Sequence, residues 1–286
     1  FCLSRGLGDV YKRQLTDRIE KIRQNYINAK PAISCERAQL WTESHKKTEG
    51  QHVAIRRAQA FYDTCENLTV HIFDGELIVG AIGEFRKCGI LTPEFSWLWV
   101  DKEMDDFDKR PQDPYVMTDE QRKFVRENIF PYWKDKSLEE AFLARVPEDT
   151  RKIGVDTGVI DNDSKWRQAV GEVTPDYQDV LFVKGFGGII KEAKEKISML
   201  NEASPEDMDK IIFYRSVILT SEGIIRFANR YAEAAELMAK EERDEKRREE
   251  LLNIAANCRK VPENPPETFY EAIQFVWFTQ IGGILS

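Results

Sequence analysis

The sequence predicts a mostly α-helical fold with a few short strands. Apolar residues recur at spacings of three and four over most of the chain, which is the period of an amphipathic helix. Ser204-Pro205-Glu206-Asp207 combines a capping serine, a proline at the first helical position and acidic residues in the first turn. TVHIFDGELIVG instead places β-branched and apolar residues around Asp74-Gly75, which indicates two short strands joined by a turn.

Residues 1–14 are predicted to be a non-native leader. Ser4 to Gln14, read back into codons in one frame, fit a sequencing adapter that ends in a transposon mosaic end. The alternative is a genuine basic N-terminal arm, which would need that match to be a coincidence. The leader is therefore left out of the fold prediction, and the native sequence is expected to begin at or before Leu15.

Helices are predicted over 15–29, from Ser34 to near Gly50, and from Val53 to Leu68. The two strands of TVHIFDGELIVG follow, and then a short helix from Trp97 to Phe107 and an irregular loop through KRPQDPY. Residues 147–178 are rich in Gly, Asp, Asn and Pro and predict a long loop. Long loops inside compact domains are more often functional than decorative.

The chain after Phe186 is predicted to be helical to its end. The helix that begins at Ser204 has one stripe of apolar and small residues suited to close packing: Ile211, Tyr214, Ile218, Ser221, Ile225, Ala228, Ala232, Ala235 and Ala239. EERDEKRREE indicates a solvated turn and helix start. The last helix, within PETFYEAIQFVWFTQIGGILS, is apolar on nearly every side and is typical of a domain interior. We therefore expect a chain truncated at both ends.

Composition restricts the class of protein. The 286 residues are 42% hydrophobic and 32% charged, with a formal net charge of −8, which excludes a disordered chain and gives no basic stripe for nucleic acid or an anionic membrane. No run reaches the roughly 18 to 20 apolar residues of a membrane span. Outside the leader, Cys35, Cys65, Cys88 and Cys258 have no C-x-x-C spacing. A cytoplasmic protein with a small-molecule or protein partner is expected.

Local motifs exclude several classes of site. No phosphate-loop, dinucleotide-binding, zincin or serine-hydrolase motif occurs. GFGG at Gly185–Gly188 lacks a following Lys-Ser/Thr, so it predicts a turn into a helix and not a phosphate cradle. His45, His52 and His71 have no ligand-like spacing, and no metal site is assigned.

Glu172 is the candidate that the residues themselves provide. It lies in QAVGEVTPDY, where a carboxylate beside a glycine would accept a hydrogen bond from a substrate hydroxyl or pair with a cation. A solvated loop glutamate is the competing interpretation, and the local sequence favours it, because most loop carboxylates are exposed.

Several segments in collinear order resemble the N-terminal region of glycyl radical enzymes of the pyruvate formate-lyase family. They are RRAQAFYDTCENLTVHIFDGELIVG (56–80), TPEFSWLWVDKEMDDFDKRPQDPY (92–115), FPYWKDKS (130–137), GEVTPDYQDVLFVKGFGGI (171–189), DKIIFYRSVILTSEGIIRFANRYAE (209–233) and PETFYEAIQFVWF (266–278). The resemblance covers essentially all of Leu15 to Ser286. It is greatest to the branch of glycerol dehydratase, hydroxyproline dehydratase and choline trimethylamine-lyase, and RPQDPY and FPYW are most similar to the choline enzyme.

The resemblance implies that residues 15–286 are the N-terminal part of a ten-stranded α/β barrel wrapped by helices. The family's catalytic cysteine loop and radical glycine loop are absent from this sequence and are expected beyond Ser286, so no catalytic residue is assigned and the four thiols are expected to be buried or inert. No cofactor is expected to bind this chain. The resemblance implies a glycyl radical in the full-length protein, installed by an S-adenosylmethionine-dependent iron–sulfur activating enzyme, and a homodimer.

The resemblance also implies substrate-binding residues. In the dehydratase relatives a histidine after a glycine, in the loop matching GEVTPDY, faces the substrate, whereas the choline lyase resembles this chain in having an acid there. Glu172 at this position favours a hydroxylated or cationic substrate over a proline-type one. Trp166 and Gln168, just upstream, match the region where the relatives have further pocket residues.

The predicted function is therefore that of an N-terminal portion of a glycyl radical lyase from an anaerobe, which cleaves a C–O or C–N bond by a thiyl-radical mechanism. One alternative is carbon–carbon cleavage with acyl transfer, as in formate acetyltransferase. Another is a non-catalytic helical interaction protein.

Overall fold

The computed structural model describes residues 16–159 and 175–286. Twelve α-helices account for most of these residues. In chain order they are α1 Asp17–Asn28, α2 Glu36–Lys47, α3 Val53–Asn67, α4 Pro93–Glu103, α5 Asp119–Phe124, α6 Phe130–Trp133, α7 Leu138–Leu143, α8 Glu148–Thr150, α9 Phe182–Ser198, α10 Pro205–Glu241, α11 Glu245–Lys260 and α12 Phe269–Leu285. The prediction of a mostly helical fold with short strands is confirmed.

Shorter helical turns join several of these helices. A 3₁₀-helix, Met104–Lys109, follows α4, and the π-helix Val125–Ile129 connects α5 to α6. Two more π-helices, Arg151–Val155 and Tyr177–Leu181, are the nearest described helical turns on either side of residues 160–174. No helix in the described part of the chain combines the length and apolar character that crossing a bilayer requires.

A small parallel sheet consists of β1, Ala32–Ser34, and β2, Cys88–Ile90. Its register pairs Ala32 with Cys88 and Ser34 with Ile90, and an isolated bridge joins Ala32 to Val116. Ser34 thus ends a strand and does not itself open the second helix as predicted. The first helical residue is Glu36, whose N–H donates to Ser34 Oγ (3.3 Å).

The two strands predicted within TVHIFDGELIVG are wrong, although the turn at Asp74-Gly75 is correct. Gly75 has φ +81°, and Glu76 N donates to the Phe73 carbonyl across the turn (3.2 Å). Between residues 69 and 81 no strand forms, and the backbone of residues 77–81 pairs instead with side chains of α10 and α12. The alternation of apolar residues correctly predicted that Ile72 and Val79 are buried. It did not predict which groups form hydrogen bonds with the backbone of this segment.

Two further boundaries differ from the prediction. The helix expected over Trp97–Phe107 begins earlier, at Pro93, has a kink at Ser96 and changes to 3₁₀ geometry at Met104. Within the predicted 147–178 loop, Glu148 to Val155 is helical. Acidic residues in its first turn and the Glu148–Lys152 ion pair (2.5 Å) favour that turn of helix.

α10 is the central helix, 37 residues long, and packs against α3, α9, α11 and α12. Its N-cap is Ser204, which accepts a hydrogen bond from Asp207 N as predicted. The predicted stripe is buried at Ile211, Ser221, Ala228, Ala232, Ala235 and Ala239 and half-buried at Tyr214, Ile218 and Ile225. Gly223 permits the close approach of α3, since a Cβ there would lie 3.1 Å from the Tyr62 Cα atom.

The core lies where α10 meets α3 and α12. Phe227 and Tyr231 of α10 make edge and tilted ring contacts with Phe278 of α12, at centroid distances of 6.1 and 5.8 Å. All three side chains are fully buried. α12 is therefore fixed on the core by one face, as expected for a helix of the domain interior, while its other face remains exposed.

Candidate functional site

The three substrate-binding residues predicted from the sequence, Trp166, Gln168 and Glu172, lie outside the described residues. The leader, residues 1–14, lies outside them too. The role of Glu172 stays a prediction. What the structure describes is the framework on either side of this candidate loop.

The segment that follows the candidate loop is fixed on α12 by an aromatic cluster. Asp176 caps the π-helix Tyr177–Leu181 by accepting a hydrogen bond from Asp179 N (2.9 Å). Phe182 then meets Phe275 of α12 edge to face at 5.6 Å, and Phe186 stacks on the same ring at 5.8 Å. Phe275 is fully buried. The chain leaving the candidate loop is thus held in place by α12.

GFGG at Gly185–Gly188 is a backbone clamp. Gly185 has φ +62° and separates two helical parts of α9. Phe186 N donates to the Pro262 carbonyl (3.0 Å), and Gly187 N donates to the Glu263 carbonyl (2.9 Å). The amide groups that a phosphate cradle would need are already used here, so the predicted turn into a helix is confirmed.

Residues 77–81 are held by side chains of α10 and α12. The fully buried Gln274 donates through Nε2 to the Val79 carbonyl (2.7 Å) and accepts from Val79 N through Oε1 (2.9 Å). One glutamine side chain therefore satisfies both backbone groups of Val79, as a neighbouring strand would. Three more hydrogen bonds hold this segment. Tyr270 Oη donates to the Leu77 carbonyl (2.6 Å), and Trp277 Nε1 donates to the Gly80 carbonyl (3.0 Å). Ala81 N donates to Tyr231 Oη (2.9 Å).

We expect Gln274→Leu to lower the free energy of unfolding by about 2 kcal/mol, because two backbone groups of Val79 would lose their partner in a buried site. Urea unfolding followed by circular dichroism measures this change. Gln280→Leu is the matched control, since Gln280 is exposed on the same helix and its replacement should change stability by less than about 0.5 kcal/mol. Equal effects of the two substitutions would mean that the hydrogen bonds between Gln274 and Val79 do not stabilise the fold.

Two arginines bind the carboxyl end of α12. Arg37 is fully buried, and its Nε donates to the Leu285 carbonyl (2.9 Å) while its guanidinium lies 4.2 Å from the Trp41 ring centroid. Arg57 donates to the Ser286 carbonyl (3.0 Å), and burial lowers the pKa of its guanidinium. The two arginines therefore hold the last described residues of α12 against α2 and α3.

Burial disfavours the thiolate form of all four cysteines among the described residues. Burial, the largest cause in each case, raises the pKa of Cys88 to about 11 and those of Cys35 and Cys258 to about 12, and it raises the pKa of Cys65 as well. A nucleophilic or hydrogen-abstracting cysteine needs access to its reaction partner, and Cys65 and Cys258 have none. The inertness of the four thiols stays a prediction.

Each histidine has a structural contact. His45 Nδ1 lies 2.9 Å from the Trp41 carbonyl, His52 caps α3 by accepting from Ala54 N, and His71 packs edge to face on Phe73. Burial lowers the pKa of His45, which favours the neutral form of its ring. Among residues 16–159 and 175–286 no cluster of His, Cys, Asp or Glu is arranged to hold a metal ion.

The sequence analysis did not identify Gln274 and Arg37, whose buried side chains form hydrogen bonds between distant segments of the chain. Both are polar side chains within otherwise apolar surroundings, Gln274 in the run FYEAIQFVWF and Arg37 on the buried face of α2. A polar residue on an apolar face signals a buried hydrogen-bonding role. The partner of each residue is distant in sequence, so the pattern alone does not identify it.

Comparison with known proteins places this framework in a family. A family model described as pyruvate formate lyase-like matches residues 14–286. The isethionate sulfite-lyase of Nitratidesulfovibrio vulgaris is 36% identical over 284 residues, which are 96% of this chain and 34% of that protein. The trans-4-hydroxy-L-proline dehydratase of Clostridioides difficile is 32% identical and covers 93% of this chain and 33% of its own length.

Solved structures agree with this placement. The glycerol-bound B12-independent glycerol dehydratase from Clostridium butyricum superimposes with a TM-score of 0.88 at 37% sequence identity, over 94% of this chain and 34% of that one. The chain spans about a third of the length of the relatives it matches. The resemblance inferred from the sequence is confirmed, and the chain belongs to the pyruvate formate lyase-like family.

Proposed function

We propose that this chain is the N-terminal portion of a glycyl radical lyase built on a ten-stranded α/β barrel. Residues 15–286 form part of the pyruvate formate lyase-like domain, and residues 1–14 are a leader foreign to it. The family match over residues 14–286 is the observation that carries the proposal. The names of the relatives, a lyase and dehydratases, support elimination as the type of reaction.

The proposed reaction uses groups outside this sequence. A glycyl radical generates a cysteine thiyl, the thiyl takes a hydrogen atom from the substrate, and the substrate radical eliminates a neighbouring group. We place both loops in polypeptide beyond Ser286, and the burial of Cys65 and Cys258, which denies a substrate access to them, is in accord with this placement. The radical is proposed to be installed by an iron–sulfur enzyme that uses S-adenosylmethionine, in a cytoplasmic homodimer.

A small hydroxylated molecule is the proposed substrate, and a C–O or C–N bond is the one cleaved. Isethionate, trans-4-hydroxy-L-proline and glycerol, after which the relatives above are named, each have a hydroxyl group. The hydroxyl is the one group that all three have in common, so it is the better supported of the two groups proposed for recognition by Glu172.

In the complete enzyme, Glu172→Gln is expected to reduce substrate turnover by about tenfold or more, because a charge-assisted hydrogen bond to the substrate is roughly twice as strong as a neutral one. Radical formation should be unchanged. Turnover and the electron spin resonance signal of the glycyl radical are measured together. Glu249→Gln, at an exposed position on α11, is the matched control.

Two results would contradict the proposed role of Glu172. Turnover equal to that of the Glu249→Gln control would make Glu172 an ordinary surface glutamate. Loss of the radical signal together with turnover would give the residue a structural role.

The function itself is tested by recovering the complete reading frame, expressing it anaerobically and activating it with an S-adenosylmethionine-dependent activating enzyme. A glycyl radical signal and elimination from a substrate such as glycerol or choline, with cleavage of a C–O or C–N bond, are expected. Coenzyme A-dependent acyl transfer from pyruvate would instead establish the formate acetyltransferase reaction. A complete reading frame without the cysteine and glycine loops would establish a non-catalytic protein.

A further inference from the structure

His45 lies where α2, α3 and α6 meet. Its half-buried imidazole packs against two tryptophans, at centroid distances of 5.7 Å to Trp41 of α2 and 5.0 Å to Trp133 of α6. Trp133 is also bound to α2, because its Nε1 donates to Thr42 Oγ1 (2.8 Å) in a buried contact. α3 joins this cluster through Arg56, whose Nη2 donates to the His45 carbonyl (2.9 Å). A titratable ring is therefore packed at the contact of three helices.

The neutral form of the imidazole suits these contacts. His45 Nδ1 lies 2.9 Å from the Trp41 carbonyl, and a carbonyl oxygen can only accept, so Nδ1 carries the hydrogen. A second proton would therefore be added at Nε2. That proton would place a full positive charge on a ring that is partly withdrawn from water and packed against indole groups. Withdrawing a charge from water is costly unless an opposite charge compensates it.

Tyr132 of α6, the neighbour of Trp133, is surrounded by positive charges. Three cations contact its ring or its hydroxyl group: Arg56, Lys46 and Lys136. Arg56 Nη2 is bound to neutral groups, the His45 carbonyl and Tyr132 Oη (3.0 Å). The nearby carboxylate of Glu49 is bound to Lys136 (3.0 Å). The charges on the side of α3 and α6 would therefore repel a histidinium more than they would attract it.

A second arginine lies on the side of α2 and α4. Arg37 is one helical turn before Trp41, as His45 is one turn after it, and the Arg37 guanidinium lies 4.2 Å from the centroid of the Trp41 ring. The Trp41 ring therefore already holds one cation. Glu94 of α4 is the ion-pair partner of Arg37, at an N···O distance of 2.7 Å. Its carboxylate is thus engaged by a charge other than that of His45.

The pKa of His45 reflects these surroundings. Burial lowers it below the ordinary value of 6.5, and Arg56 and Arg37 lower it further, while the Trp41 carbonyl and Glu94 oppose the shift without outweighing it. In the unfolded chain the ring has its ordinary pKa, so the unfolded state binds more protons as the pH falls through 6.5. The stability that depends on neutral His45 is therefore fully present above pH 6.5 and is lost as the pH falls below it.

We propose that His45 makes the contact between α2 and α6 sensitive to pH: its neutral ring holds the two helices together, and its protonation in mild acid loosens them. Trp133 is the side chain that this loosening releases, since its indole group contacts both His45 and Thr42. The inference does not depend on the proposed function, because it concerns only the packing of α2, α3 and α6.

Hydroxyl-radical footprinting of this chain at about pH 7.5 and 5.5, read by mass spectrometry, tests the release of Trp133. The buried Trp133 indole is expected to be oxidised at least about threefold faster at the lower pH. His45→Phe keeps an aromatic ring but cannot be protonated, so it should abolish this acceleration. Trp277, which is 41% exposed on α12, is the internal control and should react equally at both pH values.

Urea unfolding at the same two pH values measures what protonation costs. The wild-type midpoint is expected to fall from the higher to the lower pH, and to fall less in His45→Phe and His45→Gln, because neither variant titrates there. Phenylalanine preserves the ring packing, whereas glutamine preserves a donor for the Trp41 carbonyl. A smaller fall in both variants would therefore identify the imidazole charge, and not a lost contact, as the cause.

Three results would overturn the inference. Equal dependence of the midpoint on pH in the wild type and both His45 variants would show that protonation of His45 has no cost. Equal oxidation of Trp133 at the two pH values would show that α6 is not released. Acceleration at Trp133 that persists in His45→Phe, or that Trp277 matches, would mean that other groups open the chain in acid.

Discussion

Replacement of Arg37 by methionine is expected to lower the free energy of unfolding by about 3 to 5 kcal/mol, the range for removing one partner of a buried ion pair. Arg37 has no exposed side-chain surface, and its partner Glu94 is only 11% exposed, at an N···O distance of 2.7 Å. Methionine keeps much of the apolar length of the side chain but leaves the Glu94 carboxylate without its cation. The carbonyls of Leu91 and Leu285 also lose their donor.

Urea unfolding of the wild type, Arg37→Met, Glu94→Gln and the double variant forms a thermodynamic cycle for this pair. The double variant should lose less than the sum of the single variants, with a coupling of about 1 to 3 kcal/mol. Arg110→Met is the matched control: Arg110 also pairs with a glutamate and lies over aromatic rings, but the pair is partly exposed and should be worth less than about 1 kcal/mol. Equal losses at Arg37 and Arg110 would refute the buried ion pair as a determinant of stability.

Gly185→Ala is expected to cost about 3 kcal/mol or more, because backbone strain and lost hydrogen bonds add at this position. A Cβ atom there would lie 2.2 Å from the Glu263 carbonyl oxygen, so the two backbone segments must separate. Separation breaks the hydrogen bonds from Phe186 and Gly187 to the loop after α11. The positive φ of +62° adds strain for any residue with a side chain.

Gly50→Ala distinguishes the cost of a positive φ from the cost of forcing two backbone segments apart. Gly50 has φ +84°, but nothing lies within 4 Å of the position of its Cβ atom, so only the left-handed backbone is penalised, at about 1 kcal/mol. Thermal and urea unfolding of both variants should therefore show a much larger loss for Gly185→Ala. Similar losses of stability would mean that separating α9 from the loop after α11 has no energetic cost.

The periodicity of apolar residues predicted the helices because a helix that covers a core must repeat its apolar face about every 3.6 residues. The stripe of α10 and the serine cap at its start are both found in the structure. The same pattern failed at residues 69–81, since alternation of apolar residues specifies which side chains are buried and not which groups pair with the backbone. Gln274 and Tyr231, which provide those groups, are more than 140 residues away.

By itself the sequence determined the helical class, the position of the long helices and membership of the family, because these depend on local pattern or on collinear motifs. Only the tertiary structure decided that Arg37 binds the end of α12, that Gln274 substitutes for a strand beside Val79, and that α12 has one buried and one exposed face. Each of these depends on contacts between groups far apart in the chain. Their energies depend on burial, which no local pattern specifies.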